Sequence, residues 1–218
     1  KRDMKRIINP LKEFGATFKK NKGTLPLHIK GSKFLKPIKL YKELRSSAQC
    51  KSAVMLAALL TPGTTKLKCK PSRNHTELLF KYLKIPIKIK NEKKFDYIEV
   101  QGRQNFKSFN YKIPGDVSSA AFPIVLTLLS KKSELKIKNV NVNPSRIGLI
   151  TILNLMGASI KLINKKIYKG EKVSDIIVKS AKNLKGINCP SELNSAAIDE
   201  FLIIFLVAAK ANGLSQFT

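Results

Sequence analysis

The sequence predicts an α/β (α+β) fold made of repeated helix–strand units with buried helices, and three observations carry that prediction. The first is an internal repeat. Pro71-Ser72-Arg73 returns as Pro144-Ser145-Arg146, and at the same offset Leu83 falls on Met156, Ile87 on Ile160 and Ile89 on Leu162. Ser47-Ala48 returns as Ser119-Ala120, and a third copy opens at Ser195-Ala196-Ala197. A period of ~70 residues is longer than that of solenoid repeats, so each copy must be a supersecondary unit with its own helices and strands. The second observation is that each copy opens on a run that is apolar all round, such as 53–60 or 201–207. The third is that these runs alternate with short stretches of period-two patterning, the mark of half-buried strands.

Each unit reads in the same order. A serine caps an apolar helix over 49–60 or 119–129, ended in the first copy by the turn at Pro62-Gly63. An alternating strand follows over 65–69 or 135–138. After Pro-Ser-Arg comes an amphipathic helix over 76–83 or 147–156, and a further alternating strand over 85–89 or 159–163 closes the unit. A helix with no polar face is a buried helix, so the first helices are expected inside, with sheets and second helices outside. If the first helices lie parallel, their N-termini gather at one end. Each N-terminus offers about half a positive charge and four unpaired N–H groups, a ready site for phosphate or carboxylate. The residues at those ends are small and polar: Ser47, Ala48 and Gln49, then Gly115 and Asp116, then Asp199. Ser118, Ser119 and Ser195 read as ordinary helix caps.

Composition bounds the function. The 218 residues carry 42 Lys plus Arg against 14 Asp plus Glu, a net charge of +28, which on its face suggests a polyanionic partner. Yet 36 of the basic residues are Lys, scattered in pairs such as Lys19-Lys20 and Lys131-Lys132 rather than in a tract. Phe122, Phe201 and Phe205 fall inside apolar helical runs rather than between basic groups, as base-stacking aromatics would. A solvated surface is therefore the expected meaning of the charge, with a basic nucleic-acid-binding protein as the alternative. Hydrophobic residues at 43% suffice for a core, and the longest apolar stretch, 201–209, is shorter than the ~18 residues of a membrane span. Three cysteines with no CxxC pair, and no signal peptide at the start, fit a cytoplasmic protein. Cys50, Cys69 and Cys189 with His28 and His75 show no metal-ligand spacing and read as structural.

Five ordered motifs carry a resemblance: Ser47-Ala48-Gln49-Cys50-Lys51-Ser52; Pro71-Ser72-Arg73-Asn74-His75-Thr76-Glu77; Pro114-Gly115-Asp116-Val117-Ser118-Ser119-Ala120-Ala121-Phe122; Asn143-Pro144-Ser145-Arg146-Ile147-Gly148-Leu149-Ile150; and Ile198-Asp199-Glu200. The chain resembles the middle of the 5-enolpyruvylshikimate-3-phosphate synthase family of the shikimate pathway. The resemblance implies the enolpyruvyl transferase fold, with two domains of three βαβαββ units each and the buried helices aimed at a cleft. It implies a domain crossing near Pro114-Gly115. Residues 1–114 would form the second half of the lower domain (units 2 and 3). Residues 115–218 would form the first part of the upper one (unit 4 and the start of unit 5). A piece of this kind is expected to be inactive alone.

The implied reaction moves the enolpyruvyl group of phosphoenolpyruvate onto the 5-hydroxyl of shikimate 3-phosphate and releases phosphate. The resemblance gives the Ser47 hydroxyl and Ala48 N–H to the shikimate phosphate, joined by Ser72 and by Arg73 through a charge-assisted fork. Gln49 would lie between the two substrates, and Arg2, within Arg2-Asp3-Met4, would hold phosphoenolpyruvate. Asp199 would accept the proton of the attacking hydroxyl, a role that requires an ionised carboxylate. Glu200 receives no role. The simpler readings are a surface helix residue for Gln49 and a dipole-stabilising first-turn residue for Asp199. The implied partners are these two small molecules, without nucleic acid, membrane, metal or cofactor, and the chain is expected to be a monomer. The related transferase acting on UDP-N-acetylglucosamine stays open as an alternative.

Overall fold

Residues 3–19 and 23–217 are described by the computed structural model, and they divide after Phe109 into two units. The first begins with α1 (Lys5–Phe14), whose apolar side buries Ile8 and Phe14, followed by the short antiparallel pair β1 (Thr17–Phe18) and β2 (Ile29–Lys30). Then comes a complete repeat: β3 (Tyr41–Glu43), α2 (Ala48–Leu59), β4 (Thr64–Cys69), α3 (His75–Tyr82), β5 (Ile87–Asn91) and β6 (Asp96–Gln101). The sheet order is β3-β4-β6-β5, with β3 and β4 parallel and the rest antiparallel. This is a βαβαββ unit. Alternation along β4 turns Thr65, Leu67 and Cys69 inward, where they meet Val54, Met55 and Ala58 of α2, Phe80 of α3 and Ile98 and Val100 of β6. Burying each of the larger side chains contributes about 1.5–3 kcal/mol.

The second unit repeats the pattern with α4 (Val117–Leu129), β7 (Glu134–Asn141), α5 (Gly148–Leu155), β8 (Ile160–Tyr168) and β9 (Glu171–Lys179). The place of β3 is held by a single parallel bridge, Gly115 to Val140, beside the antiparallel sheet β7-β9-β8. The β8–β9 hairpin turns through Lys169-Gly170, both at positive φ, as the tightest hairpin turns require. A third copy begins with β10 (Asn188–Cys189), a 3₁₀ turn, α6 (Asn194–Ala197), α7 (Phe201–Ala208) and β11 (Gln216–Phe217), which pairs parallel with β10. The repeat and its order are therefore as the sequence predicts. The strands β6 and β9, which complete each unit, are not in the sequence reading.

The apolar helices are only partly buried: α2 exposes Leu56, α4 exposes Phe122 and Leu126, and α7 exposes Leu202, Phe205 and Leu206, with Leu202 85% accessible. The amphipathic α5 is instead deeply buried through Leu149, Ile150, Ile152 and Leu153. Among the described residues α2 packs against α1, β4 and β6, α4 against β7, β9 and α7, and α7 against α4 and α5. Phe122 and Phe205 lie within α4 and α7 as expected, and both are accessible in this chain.

Beta-bulges on both sides of β9 converge on one carboxylate. The register shifts between Ile137 and Val140 on β7, and between Ile163 and Lys166 on β8. Asn139 and Asn164 adopt left-handed backbone there. Asp175 Oδ1 accepts the Asn139 N–H at 2.9 Å, and Oδ2 accepts from Asn164 Nδ2 at 2.9 Å and lies 3.3 Å from Lys136 Nζ. The Asn139 N–H above all, then Asn164 and Lys136, pull the Asp175 carboxyl down to about 2. A carboxyl depressed in the folded state stabilises fully above its unfolded value of about 4, and that contribution is lost as pH falls towards 2. Asp175→Ala should therefore lower the melting temperature at pH 7, and the gap to wild type should close between about pH 4 and pH 2. Thermal melts across pH check this; a gap that does not change with pH would contradict it.

Candidate anion site at the helix N-termini

In the first unit the candidate residues occupy two helix starts. Ser47 caps α2, its Oγ accepting the Cys50 N–H at 3.3 Å and lying 3.5 Å from Gln49 Oε1. Gln49 is exposed, Ser47 and Ala48 half-buried. The turn that presents them is held by Glu43, which is buried although charged. Its Oε1 accepts the Arg45 N–H at 2.8 Å and its Oε2 accepts the Tyr41 hydroxyl at 3.1 Å, while Ser46 takes left-handed backbone. Burial, then the Glu43 carboxylate, raises the Tyr41 phenol above its ordinary value. Ser72 and Arg73 stand in the turn before α3, both half-buried. The Ser72 Oγ is buried and has no hydrogen-bond partner among the described residues. A buried hydroxyl left so costs about 1–3 kcal/mol, which an anionic oxygen within reach would remove.

The first turns of α2 and α3 are cross-linked. Lys51 Nζ lies 2.5 Å from Glu77 Oε1, with side chains 0% and 5% accessible, and Ser52 Oγ lies 2.6 Å from Thr76 Oγ1. Burial pushes the nearby Cys69 thiol up to about 12, Lys51 opposing and the Glu43 and Glu77 carboxylates adding to it, so the thiol is neutral. The three cysteines are all buried and free. Among the described residues no three His, Cys, Asp or Glu side chains group as metal ligands would, and no helix is long and apolar enough to cross a membrane.

In the second unit the structure corrects the helix caps. The cap of α4 is Asp116, not Ser118 or Ser119: its Oδ2 accepts both the N–H and the hydroxyl of Ser119 at 3.0 Å. A carboxylate gains from the helix dipole as well as the hydrogen bond, which favours it over the serines. Burial opposes ionisation of Asp116, but these bonds and the Arg146 guanidinium outweigh it and hold its carboxyl below the usual range. Ser118 instead donates to the buried Glu200, and accepts from Arg146 Nη2 at 2.6 Å. The same Nη2 lies 2.8 Å from Asp116 Oδ1. Ser195 lies within α6 and makes no cap bond; α7 starts only at Phe201, after a turn at 198–200. Glu200 is its N-cap residue, so Ser118 and Glu200 join the N-terminal ends of α4 and α7, the arrangement parallel helices predict.

Asp199 is exposed in the turn before that cap, not in the first turn of a helix as expected. Ser47, Ala48, Gln49, Ser72 and Arg73 thus fall at two linked helix starts of the first unit, and Asp199 beside the helix-end network of the second. Arg2 lies outside the described residues. Sequence reasoning gave no role to Arg146, Glu200, Lys51, Glu77 or Glu43. The repeat itself signals Arg146, which occupies the position of Arg73 in the next copy.

Parallel helix starts of this kind, on repeated βαβαββ units, define the enolpyruvyl transferase fold. The enolpyruvyl transferase NikO from Streptomyces tendae aligns with 84% of this chain and 44% of its own at a TM-score of 0.60 and 16% identity, a likeness of fold alone. The family model for EPSP synthase (3-phosphoshikimate 1-carboxyvinyltransferase) matches residues 1–218, and the chain belongs to that family. The 3-phosphoshikimate 1-carboxyvinyltransferase of Ruthia magnifica subsp. Calyptogena magnifica is 43% identical over 219 residues, covering 100% of this chain and 49% of the relative. That of Petrotoga mobilis is 41% identical over 216 residues, covering 97% of this chain and 49% of the relative. The solved EPSP synthase from Acinetobacter baumannii aligns at a TM-score of 0.84 and 37% identity, over 97% of this chain and 47% of its own. The chain spans about half the length of the curated relatives it matches.

Proposed function

We propose that this chain is the central part of an enzyme that transfers the enolpyruvyl group of phosphoenolpyruvate to the 5-hydroxyl of shikimate 3-phosphate, with release of phosphate. The observation that carries the reading is the buried Ser72 hydroxyl, without a partner among the described residues, beside Arg73 in the turn before α3, a helix tied to the start of α2. In this reading the phosphate of shikimate 3-phosphate accepts from the Ser47 and Ser72 hydroxyls and the Ala48 N–H and pairs with Arg73. Gln49, exposed on the first turn of α2, contacts both substrates, and Arg2 binds the phosphoenolpyruvate carboxylate or phosphate. Asp199 takes the proton of the 5-hydroxyl as its oxygen bonds to the central carbon of phosphoenolpyruvate, whose methylene carbon gains a proton. Loss of a proton from that carbon then expels phosphate and restores the double bond. Positive charge and hydrogen-bond donors suffice to bind two anionic substrates, so the reading assigns no cofactor. It describes a cytoplasmic monomer with no nucleic-acid partner, the Lys-rich composition serving as a solvated surface.

The domain crossing proposed near Pro114-Gly115 would place Ser47, Ala48, Gln49, Ser72 and Arg73 in the lower domain and Asp199 in the upper one. The full-length protein should turn over both substrates while the 218-residue chain alone shows no turnover, as a coupled phosphate-release assay would read. Turnover by the 218-residue chain alone would overturn the assignment.

A further inference from the structure

Lys51 is among the largest fully buried side chains of the described residues, and its placement is not accounted for by stability. Two charges taken out of water lose more hydration than their attraction returns unless every remaining atom is hydrogen-bonded. Here Lys51 Nζ meets Glu77 Oε1 at 2.5 Å, but Glu77 Oε2 is buried with no hydrogen-bond partner among the described residues. An apolar pair of similar volume would be at least as stable in such a place. What an ion pair supplies and an apolar pair does not is direction: it fixes one helix against the other at a defined angle and register.

The two charges sit in the first turns of α2 and α3, two residues after Gln49 and four after Arg73. One residue on along α2 and one residue back along α3 a second link, Ser52 Oγ to Thr76 Oγ1 at 2.6 Å, repeats the connection. The Cys69 thiol is neutral, and both oxygens of Glu43 are occupied by the Arg45 N–H and the Tyr41 hydroxyl. We infer that Lys51 and Glu77, with Ser52 and Thr76, are positioning residues that hold the Ser47-Ala48-Gln49 helix start at a fixed distance from Ser72 and Arg73. This inference rests on the reading of those residues as the shikimate 3-phosphate contacts. A shift of 1 Å between groups that share one ligand is enough to cost about a hundredfold in rate or affinity.

The test compares variants of the full-length protein by melting temperature, kcat and KM. In Lys51→Met/Glu77→Leu the charges leave together, so no uncompensated ion remains. The melting temperature is expected to stay close to wild type, with kcat within about threefold and KM for shikimate 3-phosphate raised about tenfold or more. A purely structural pair would not produce that split. A folded double variant with KM within twofold of wild type overturns the inference. Should the double variant fail to fold, Thr76→Val decides. It keeps the shape of α3 and removes one cross-link, and should raise the same KM severalfold; an unchanged KM overturns the inference. Wild-type protein that does not turn over shikimate 3-phosphate at all refutes the functional reading, a result separable from either variant outcome.

Discussion

Asp199→Asn in the full-length protein should cut kcat by about 10²–10⁴-fold, the range over which a positioned proton acceptor acts, while KM for either substrate changes little. The substitution keeps size and hydrogen-bonding capacity and removes only the ability to take a proton. The bland explanation for an acidic residue here was stabilisation of a helix start from its first turn. The structure weakens it: Asp199 precedes the N-cap of α7, and the cap residue itself, Glu200, directs its carboxylate to Ser118 rather than to the helix. Asp199 itself is exposed beside the buried Glu200 that this contact holds. Steady-state kinetics with both substrates varied separates the outcomes. Turnover within a few-fold of wild type would remove Asp199 from the chemistry.

Gly148→Ala is expected to be strongly damaging in the second unit. A Cβ at this position would stand 2.7 Å from the carbonyl carbon of Ala196 and the nitrogen of Ala197, and 2.8 Å from the Ala197 Cβ. Gly148 needs no unusual φ; it is small because α5 meets the backbone of α6 there. Backbone cannot step aside as a long side chain can, so α6 must move. Overpacking of this kind costs about 1–3 kcal/mol, which for a protein of this size or larger lowers the melting temperature by several degrees. Because Asp199 follows α6 by two residues, turnover should fall as well, even at temperatures where the variant is fully folded. Unchanged melting and unchanged kcat together would show that α5 and α6 are free to separate.

Much of this was legible in the sequence, for identifiable reasons. The helix starting at Ser47 could be read because a single capping residue precedes an unbroken apolar run. The next start offered Asp116, Ser118 and Ser119 within four positions, and only hydrogen-bond geometry chooses among them. The third helix was misplaced because Ser195-Ala196-Ala197 imitates the earlier copies, while the break at 198–200 contains neither Gly nor Pro. The strands β6 and β9 escaped because the loops before them differ in length, 92–95 in one copy and Lys169-Gly170 in the other, so no fixed offset superposes them. Composition marked which helices bury a large apolar surface, and α2, α4 and α7 each carry residues of the core. Lys51 was hidden by its abundance: in a chain with 36 lysines nothing local marks the one that sits at 0% accessibility.

Acceptor choice tests the proposed chemistry most directly. The full-length protein, given phosphoenolpyruvate with shikimate 3-phosphate and UDP-N-acetylglucosamine in competition, should enolpyruvylate only the former, with phosphate released in equal amount. Enolpyruvyl transfer to the sugar nucleotide, or no phosphate release with either acceptor, would contradict it.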